Sequence, residues 1–200
     1  MTYQKNFWKI SYDNTNGNTQ YEYNGAVGGP PDKSTTNSNF SNFEVTYGIP
    51  ISDDNKQFIY TGYGYHTWDR SLATDALYSG YLEKYSWSYI PVGYRIEYKI
   101  NNQWDGALDI AAKFTFKGKL GTYYNGGSTD VGQNFNLGNK PGIRVEAPFT
   151  DKLDTQWSFV LTPWYEYSAI NQSNILADGS YEPDSQTHQY GVNLGFSYIF

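Results

Sequence analysis

The sequence contains no cysteine and few basic residues, and each shortage excludes a class of protein. Because none of the 200 residues is Cys, disulfides, thiolate chemistry and Cys-ligated metals are all excluded, and a loop-rich chain must be stabilised by strand pairing and packing. Only 14 Lys and Arg stand against 20 Asp and Glu, which gives a net charge of −6. Nucleic-acid phosphates require a basic footprint, so this balance argues against a nucleic-acid partner.

Long apolar runs are also missing. No stretch is long and apolar enough to predict a transmembrane helix, and no signal peptide opens the sequence. Met1 is followed directly by polar residues, which fits either a cytoplasmic start or a mature exported chain given a start Met. The C-terminal sequence must decide between them. The length predicts one domain over residues 1–200, without room for a second module of ordinary size.

Aromatic and turn-forming residues are abundant. The 21 Tyr, 11 Phe and 6 Trp make up half of a hydrophobic fraction of 38%, and aromatic side chains favour strands over helices. The 20 Gly supply turns. This composition predicts an all-β protein.

Eight stretches alternate with period two, which predicts eight strands. They lie near residues 7–12, 43–47, 58–68, 85–100, 107–116, 142–147, 157–167 and 188–200. The connections are alternately short and long, and the long polar ones are 13–39, 69–84, 117–141 and 168–187. This succession indicates an up-and-down antiparallel meander with all long connections at one end. Pro91 and Pro163 lie inside proposed strands, where a missing ladder donor predicts a bulge or a shorter strand.

Each predicted strand has one apolar and one polar face, and two architectures share that pattern. A soluble barrel such as a lipocalin turns its apolar face inward. A transmembrane barrel turns that face to lipid, keeps charges in the lumen and is closed so that no strand edge meets hydrocarbon. Strand length, loop asymmetry and an aromatic girdle at the short-turn end favour the transmembrane barrel. The girdle includes Trp8, Trp104 and Trp157.

The C-terminal strand carries the most specific signal. In "YGVNLGFSYIF" a terminal aromatic residue is preceded at every second position by an apolar or aromatic one: Tyr190, Val192, Leu194, Phe196, Tyr198 and Phe200. This pattern resembles the targeting signal of bacterial outer-membrane β-barrels. With eight predicted strands, the chain resembles the small barrels of the OmpA and OmpX type. The resemblance implies a monomeric eight-stranded antiparallel up-and-down transmembrane barrel, recognised by the barrel-assembly machinery and surrounded by outer-membrane lipid and lipopolysaccharide.

Because alternate residues of a strand face the same side, the sequence places both positive and negative side chains inside such a barrel. The predicted lumen network contains Lys9, Glu44, Arg95, Glu97, Lys99, Asp109, Lys113, Arg144, Glu146 and Glu166. Because an eight-stranded lumen is only just wide enough to be filled by side chains, and an unpaired charge there is costly, mutual pairing is expected. The alternative is a water-filled path in which these charges select a small solute.

Two short stretches invite an enzymatic interpretation. "YHTWDR" contains His66, Asp69 and Arg70, and "DSQTHQY" contains Asp184, Ser185 and His188. Some outer-membrane barrels modify lipid A with such residues at the outer leaflet. A triad is defined by geometry, however, and no oxyanion-hole segment is evident, so no catalytic residue is assigned. A structural role, with Trp68, Asp69 and Arg70 joining loop to rim through an ion pair, is preferred.

No metal or cofactor site is predicted. Parity points His66 inward and His188 outward, so the two histidines do not converge on one ion. "DNTNGNTQ" has the alternating oxygen ligands of a calcium loop but lacks its terminal Glu, and a solvated loop is preferred. "YYNGGSTDVGQ" is Gly-rich without a phosphate-binding context.

The long connections remain as the place for binding, because function concentrates on loops of a rigid scaffold. "YEYNGAVGGPPDKS" and "SLATDALYSGYLEKYSW" mix Tyr, Leu and Trp with polar residues, as suits contact with a glycan, a protein or lipopolysaccharide headgroups. The leading hypothesis is a non-enzymatic outer-membrane protein that stabilises the envelope or binds a ligand through external loops. A narrow channel for small hydrophilic solutes and a lipid A-modifying enzyme are the alternatives.

Overall fold

The computed structural model describes residues 6–23, 32–73, 80–124 and 131–198, and these residues form one antiparallel sheet of eleven strands. The strands are β1 Phe7–Tyr23, β2 Asp32–Pro50, β3 Gln57–Ser71, β4 Tyr81–Lys99, β5 Trp104–Tyr124, β6 Val131–Asn136, β7 Gly138–Asn139, β8 Gly142–Glu146, β9 Phe149–Lys152, β10 Trp157–Asn171 and β11 Ser185–Tyr198. The prediction of an all-β antiparallel protein is confirmed for this part of the chain. The described residues include no helix that could cross a membrane.

Strands that follow one another in sequence pair with one another, from β1 through β5 and again from β10 to β11. Between β5 and β10 lie the four short strands β6 to β9, of which β8 and β9 pair with both neighbours. They occupy the position of the sixth predicted strand, which is why the structure has eleven strands where the sequence predicted eight. Two of the three breaks between them coincide with Pro141 and Pro148, residues that lack the N–H a continuous ladder needs.

The break between β8 and β9 lies opposite Pro163 of β10, where the sequence predicted a bulge or a shorter strand. Trp164 pairs with Glu146 and Leu161 pairs with Phe149, so Thr162 and Pro163 face the gap. At Pro91 the ladder to β5 is continuous, with Pro91 paired to Lys113. On the other side, the β3–β4 ladder is interrupted at Ile90 and Pro91, between Thr61↔Val92 and Gly64↔Tyr89. A bulge in this ladder to β5 lies earlier in β4, between Ser86 and Ser88.

The strands are much longer than the predicted segments. β1 and β2 continue in register from Phe7↔Gly48 to Tyr23↔Asp32, and β5 continues to Tyr124 and pairs with β6. The expected loops at 13–39 and 117–141 are therefore mostly strand. Polar sequence does not prevent ladder formation, because polar side chains also pair: Asn14 donates to Ser41 across the β1–β2 ladder at 2.8 Å. The tips at 24–31, 74–79 and 125–130 lie outside the described residues.

Side chains alternate between two faces of the sheet. On β3 and β4 the buried set is His66, Trp68, Arg70, Glu83, Tyr85, Trp87 and Tyr89, while Ile90 and Val92 are exposed on the opposite face. The sheet curves around the buried set, which we call the inner face. Lys9 on β1 thereby approaches Glu146 on β8, with 3.4 Å between Nζ and Oε2, although these strands do not pair. Among the described residues no backbone pairing joins β1 to β11.

A bulge reverses the faces of β5. One extra residue of β5 is inserted where Ser86 pairs with Lys119 and Ser88 pairs with Phe116, and Lys117 adopts a φ of 54° in this insertion. Before the bulge odd-numbered residues such as Lys113 are buried, and after it the even-numbered Leu120 is buried. Such an insertion shifts the alternation by one residue, so an apolar face extrapolated along β5 from 107–116 changes sides.

The short turns are capped by polar side chains. Asn101 accepts hydrogen bonds from the backbone of Gln103 and Trp104, both at 2.8 Å. Asp154 does the same for Gln156 and Trp157 at 2.7 Å, and these bonds lower the pKa of its carboxyl group. These caps fix the strand pairs at the end of the sheet that we call the short-turn end; the opposite end is the long-connection end.

Candidate functional site: the inner face and its long-connection end

The middle of the inner face is a continuous chain of ion pairs. Glu166 forms ion pairs with Lys113 at 2.7 Å and with Arg144 at 2.8 Å. Arg144 forms a further ion pair with Glu146 at 2.7 Å. Lys9 completes the chain from β1. Lys113 and Glu166 are only 5% and 6% exposed, so the two groups compensate each other's desolvation.

A second group of charges lies nearer the short-turn end. Arg95 contacts Glu97 at 2.9 Å and Asp109 at 3.6 Å, and Asp109 also accepts a hydrogen bond from the Tyr60 hydroxyl. Glu97 is half exposed, whereas Asp109 is buried. The structure thus places eight of the ten predicted network residues in two groups of ion pairs.

The remaining two predicted residues differ. Glu44 faces the same interior and accepts a hydrogen bond from Tyr89 at 2.9 Å. Lys99 is exposed and lines an open recess of about 300 Å³ at the short-turn end together with Arg95 and Asp105. Lys99 therefore lies at the short-turn end, outside the two groups of ion pairs.

A polar cavity lies beside the ion pairs. It has a volume of about 210 Å³ and is lined by Lys9, Glu44, Asp109, Arg144 and Glu146 among others. At about 30 Å³ per water molecule, a polar cavity of this size has room for several waters. The inner face is therefore not closely packed at its middle.

Beyond the charges lies an aromatic section that the sequence analysis did not predict. We call it the aromatic cluster; it contains Trp68, Tyr85, Trp87, Tyr89, Leu120, Phe135, Leu137 and Ile170. Trp68 stacks on Tyr85 with 4.8 Å between ring centroids, and His66 stacks on Trp87 at 4.4 Å. One feature of the sequence points to this cluster: His66, Trp68 and Arg70 alternate along β3 and so share one face. That they pack in an aromatic cluster depends on the rings that β4 places beside them, and β3 alone does not indicate this.

A polar group lies over the edge of the aromatic cluster at the long-connection end. Arg70 bonds to Glu83, with 2.5 Å from Nε to Oε2, and both are almost fully buried. The expected ion pair of Arg70 is therefore made with the neighbouring strand, while Asp69 alternates to the opposite face. The Tyr85 hydroxyl lies 3.0 Å from Arg70, 2.9 Å from Glu83 and 2.8 Å from Glu182.

Glu182 belongs to the segment 172–184, which folds back over the aromatic cluster. Leu176 packs against that cluster. Asn174 and the backbone of Asn136 exchange hydrogen bonds of 3.1 and 2.7 Å, and Gln133 donates to Asp178 at 2.8 Å. The predicted long connection is thus an ordered segment attached to β6 on one side and to β4 on the other.

The candidate catalytic residues do not form a triad. Asp184 pairs with Lys140 at 3.1 Å, and His188 lies 2.8 Å from the Tyr165 hydroxyl. Ser185 begins β11 and pairs with Ile170. Within the described ranges no group of three or more potential ligands could hold a metal ion. The calcium-like stretch "DNTNGNTQ" is part of β1 and not a loop.

The residues of the predicted girdle and of the C-terminal pattern lie mainly on the face opposite the inner face, which we call the outer face. Trp8 is 72% exposed and Trp157 is 47% exposed, whereas Trp104 is partly buried. On β11 the exposed set is Tyr190, Val192, Leu194 and Phe196. Tyr198 pairs with Trp157, and Phe200 lies outside the described residues.

Comparisons with known proteins add no family to this description. No protein-family model matches the chain, and none of the curated proteins matches it. The function must therefore be argued from the distribution of charge and apolar surface.

Proposed function

We propose that the chain is a non-enzymatic integral protein of a bacterial outer membrane, a monomeric transmembrane β-barrel that acts through the hairpins at its long-connection end. The observation that carries this proposal is the inverted distribution of polarity. Charges are buried on the inner face, and large apolar side chains are exposed on the outer face. An envelope-structural role or the binding of a host molecule or another external ligand fits this arrangement.

The outer face is unfavourable in water and favourable in lipid. Ile10 is 72% exposed, Leu194 is 68% exposed and Val92 is 51% exposed, and these side chains belong to strands at different positions around the sheet. Water would penalise so much apolar surface. A bilayer would cover it, while the buried ion pairs stay inside.

Closure between β1 and β11 is part of the proposal. Lys9 and Ser11 of β1 line the same cavity as Asn193 of β11 and Glu146 of β8. The two edge strands therefore flank one interior space. A spanning sheet must close, because an open edge in hydrocarbon leaves backbone groups without hydrogen bonds.

Strand length supports an external role for the hairpins. A strand needs about 9 to 11 residues to cross a bilayer, but β4 has 19 and β5 has 21. The excess lies at the long-connection end, where the ladders continue beyond the apolar band. The β1–β2 hairpin and the far end of the β4–β5 ladder, which continues to Tyr81↔Tyr124, would then extend from the membrane as rigid binding surfaces.

A matched pair of substitutions on β1 tests the membrane assignment. Ile10→Arg places a charge on the outer face, and Ser11→Arg places the same charge beside the cavity near Glu44. In lipid vesicles we expect Ile10→Arg to lower the free energy of unfolding by about 2 to 4 kcal/mol and Ser11→Arg to change it much less. Urea unfolding followed by tryptophan fluorescence measures both.

The soluble-barrel alternative makes the opposite prediction. A chain that stays monodisperse without detergent, and whose stability is insensitive to Ile10→Arg, would refute the membrane proposal. Wild-type protein that aggregates without detergent but folds into vesicles would support it.

A narrow channel is the second candidate, favoured by the charged cavity of about 210 Å³. The aromatic cluster lies between this cavity and the long-connection end, so we expect a mostly silent barrel in a planar bilayer. Reproducible openings whose ion selectivity changes in Glu97→Ala would make conduction the leading function.

A further inference from the structure

The three close contacts of the Tyr85 hydroxyl can all be hydrogen bonds only if one of its neighbours carries an additional proton. A phenol has one proton to donate and accepts through its oxygen. Tyr85 has three polar neighbours: the Arg70 guanidinium, the Glu83 carboxylate and Oε1 of Glu182. If both glutamates are ionised, one hydroxyl proton faces two carboxylates and satisfies only one.

A proton on Glu182 completes this network. Arg70 and the Glu182 carboxylic acid then both donate to the Tyr85 oxygen, and Tyr85 donates to Glu83. Every group has a partner, and a single negative charge remains beside the positive charge of Arg70. Since Tyr85 is 2% exposed and Glu83 is 3% exposed, water cannot easily replace a missing bond.

The electrostatics of Glu182 agree with this count. Burial, and next the negative charge of Glu83, raise the pKa of Glu182 from 4.5 to about 7. The charged and titratable groups that face it are Arg70 from β3 and Tyr81, Glu83 and Tyr85 from β4. Arg70 is the cation of this set, and it already pairs with Glu83.

We propose that residues 172–184 are a proton-dependent lid, latched to the β3–β4 rim by protonated Glu182 and released there when Glu182 gives its proton to water. The Asn174–Asn136 and Gln133–Asp178 bonds attach the other side of the lid to β6 and involve neither Tyr85 nor Glu182. Release therefore separates the Glu182 side of the lid from β4 and uncovers Tyr85 at the edge of the aromatic cluster, while Leu176, between the two β6 attachments, stays packed. The latch consists of contacts within the chain and does not depend on the proposed membrane location.

The sign of the pH dependence follows from the raised pKa. An ionised Glu182 favours the open lid, so closure is most stable below the ordinary pKa of 4.5 and weakens as pH rises to about 7, where the loss levels off. Each pH unit in that window changes the closing equilibrium up to about tenfold. We expect a total change of roughly 300-fold.

Spin labels can measure the lid directly, because the chain has no native cysteine. Tyr181→Cys on the lid, next to Glu182, and Ser71→Cys at the end of β3 are exposed labelling positions. In detergent micelles we expect one narrow distance distribution at about pH 4 and a longer, broader one at about pH 8. Circular dichroism verifies folding of each sample separately.

Three further variants make the proposal falsifiable. Glu182→Gln keeps a neutral donor beside Tyr85 and should stay closed at both pH values, whereas Tyr85→Phe should be open at both. Asp69→Asn removes a carboxylate from the same rim on the opposite face and should keep the wild-type response. A wild-type distance that does not change with pH, or a pH response that persists in Glu182→Gln, would overturn the proposal.

Discussion

The middle and the long-connection end of the inner face are buried to a similar degree but are filled differently. Around Glu166 the interior holds ion pairs and a cavity. Around Leu120 and Tyr85 it holds closely packed rings and aliphatic groups. The first region is stabilised by mutual compensation of charges, and the second by removal of apolar surface from water. A substitution should therefore destabilise the first region by leaving a charge unpaired and the second by leaving a cavity.

The largest loss of stability should come from Glu166→Ala, which tests the ion-paired middle region without touching the aromatic cluster. Removing the carboxylate leaves Lys113 and Arg144 buried without their shared partner. We expect the free energy of unfolding to fall by about 3 to 5 kcal/mol, measured by urea titration of the folded protein. Glu97→Ala, at a carboxylate that is 45% exposed, should cost less than about 1 kcal/mol.

A second substitution tests whether the cost is one of charge. Adding Lys113→Met to Glu166→Ala removes one uncompensated charge and should recover part of the lost stability. A double variant as unstable as the sum of its single changes would show that packing, not charge pairing, dominates the middle region.

Leu120→Ala should produce the next largest loss, by a mechanism without charge. Leu120 is 1% exposed within the aromatic cluster, and its truncation should lower the free energy of unfolding by about 3 kcal/mol. The loss should be insensitive to salt. Leu108→Ala, at an outer-face position of the same strand that is 37% exposed, should cost less. Equal costs at both sites would contradict the assignment of the aromatic cluster as a packed core.

The smallest effect should appear at Asp154, which lies outside both regions. Two backbone N–H groups hold the pKa of Asp154 below its ordinary 3.8, so the ionised cap stabilises the turn above that value and loses its advantage on acidification. Asp154→Asn should be slightly less stable than wild type at neutral pH, with the gap closing as pH falls below 3.8. A gap of constant size would mean that charge is irrelevant to this turn. Paired thermal melts across this pH range measure it.

Sequence reasoning was most successful where alternation is regular. The antiparallel meander followed from period two and from connection length, and the inward direction of Lys113, Arg144 and Glu166 followed from parity. Alternation identifies a face of the sheet without identifying cross-sheet partners. The contact between Lys9 and Glu146 depends on curvature, which no local pattern encodes.

The failures also have physical causes. Polar side chains were interpreted as loops, yet the β1–β2 ladder continues through them because its backbone bonds do not depend on polarity. The bulge at Lys117 moved Leu120 to the inner face, and one inserted residue leaves no clear trace in composition. The Glu182–Tyr85 contact joins residues separated by 97 positions. It could not be foreseen without the path of the lid.

The length of β5 gives the protein, in the proposed orientation, the properties of a molecular spacer. Its 21 residues span roughly 70 Å at about 3.3 Å per residue, and tilt reduces the height to roughly 50 Å. An apolar band of about 25 Å leaves roughly 25 Å of strand outside the hydrocarbon. A tag fused beyond the long-connection end of β5 would be displayed at a fixed height above the cell surface.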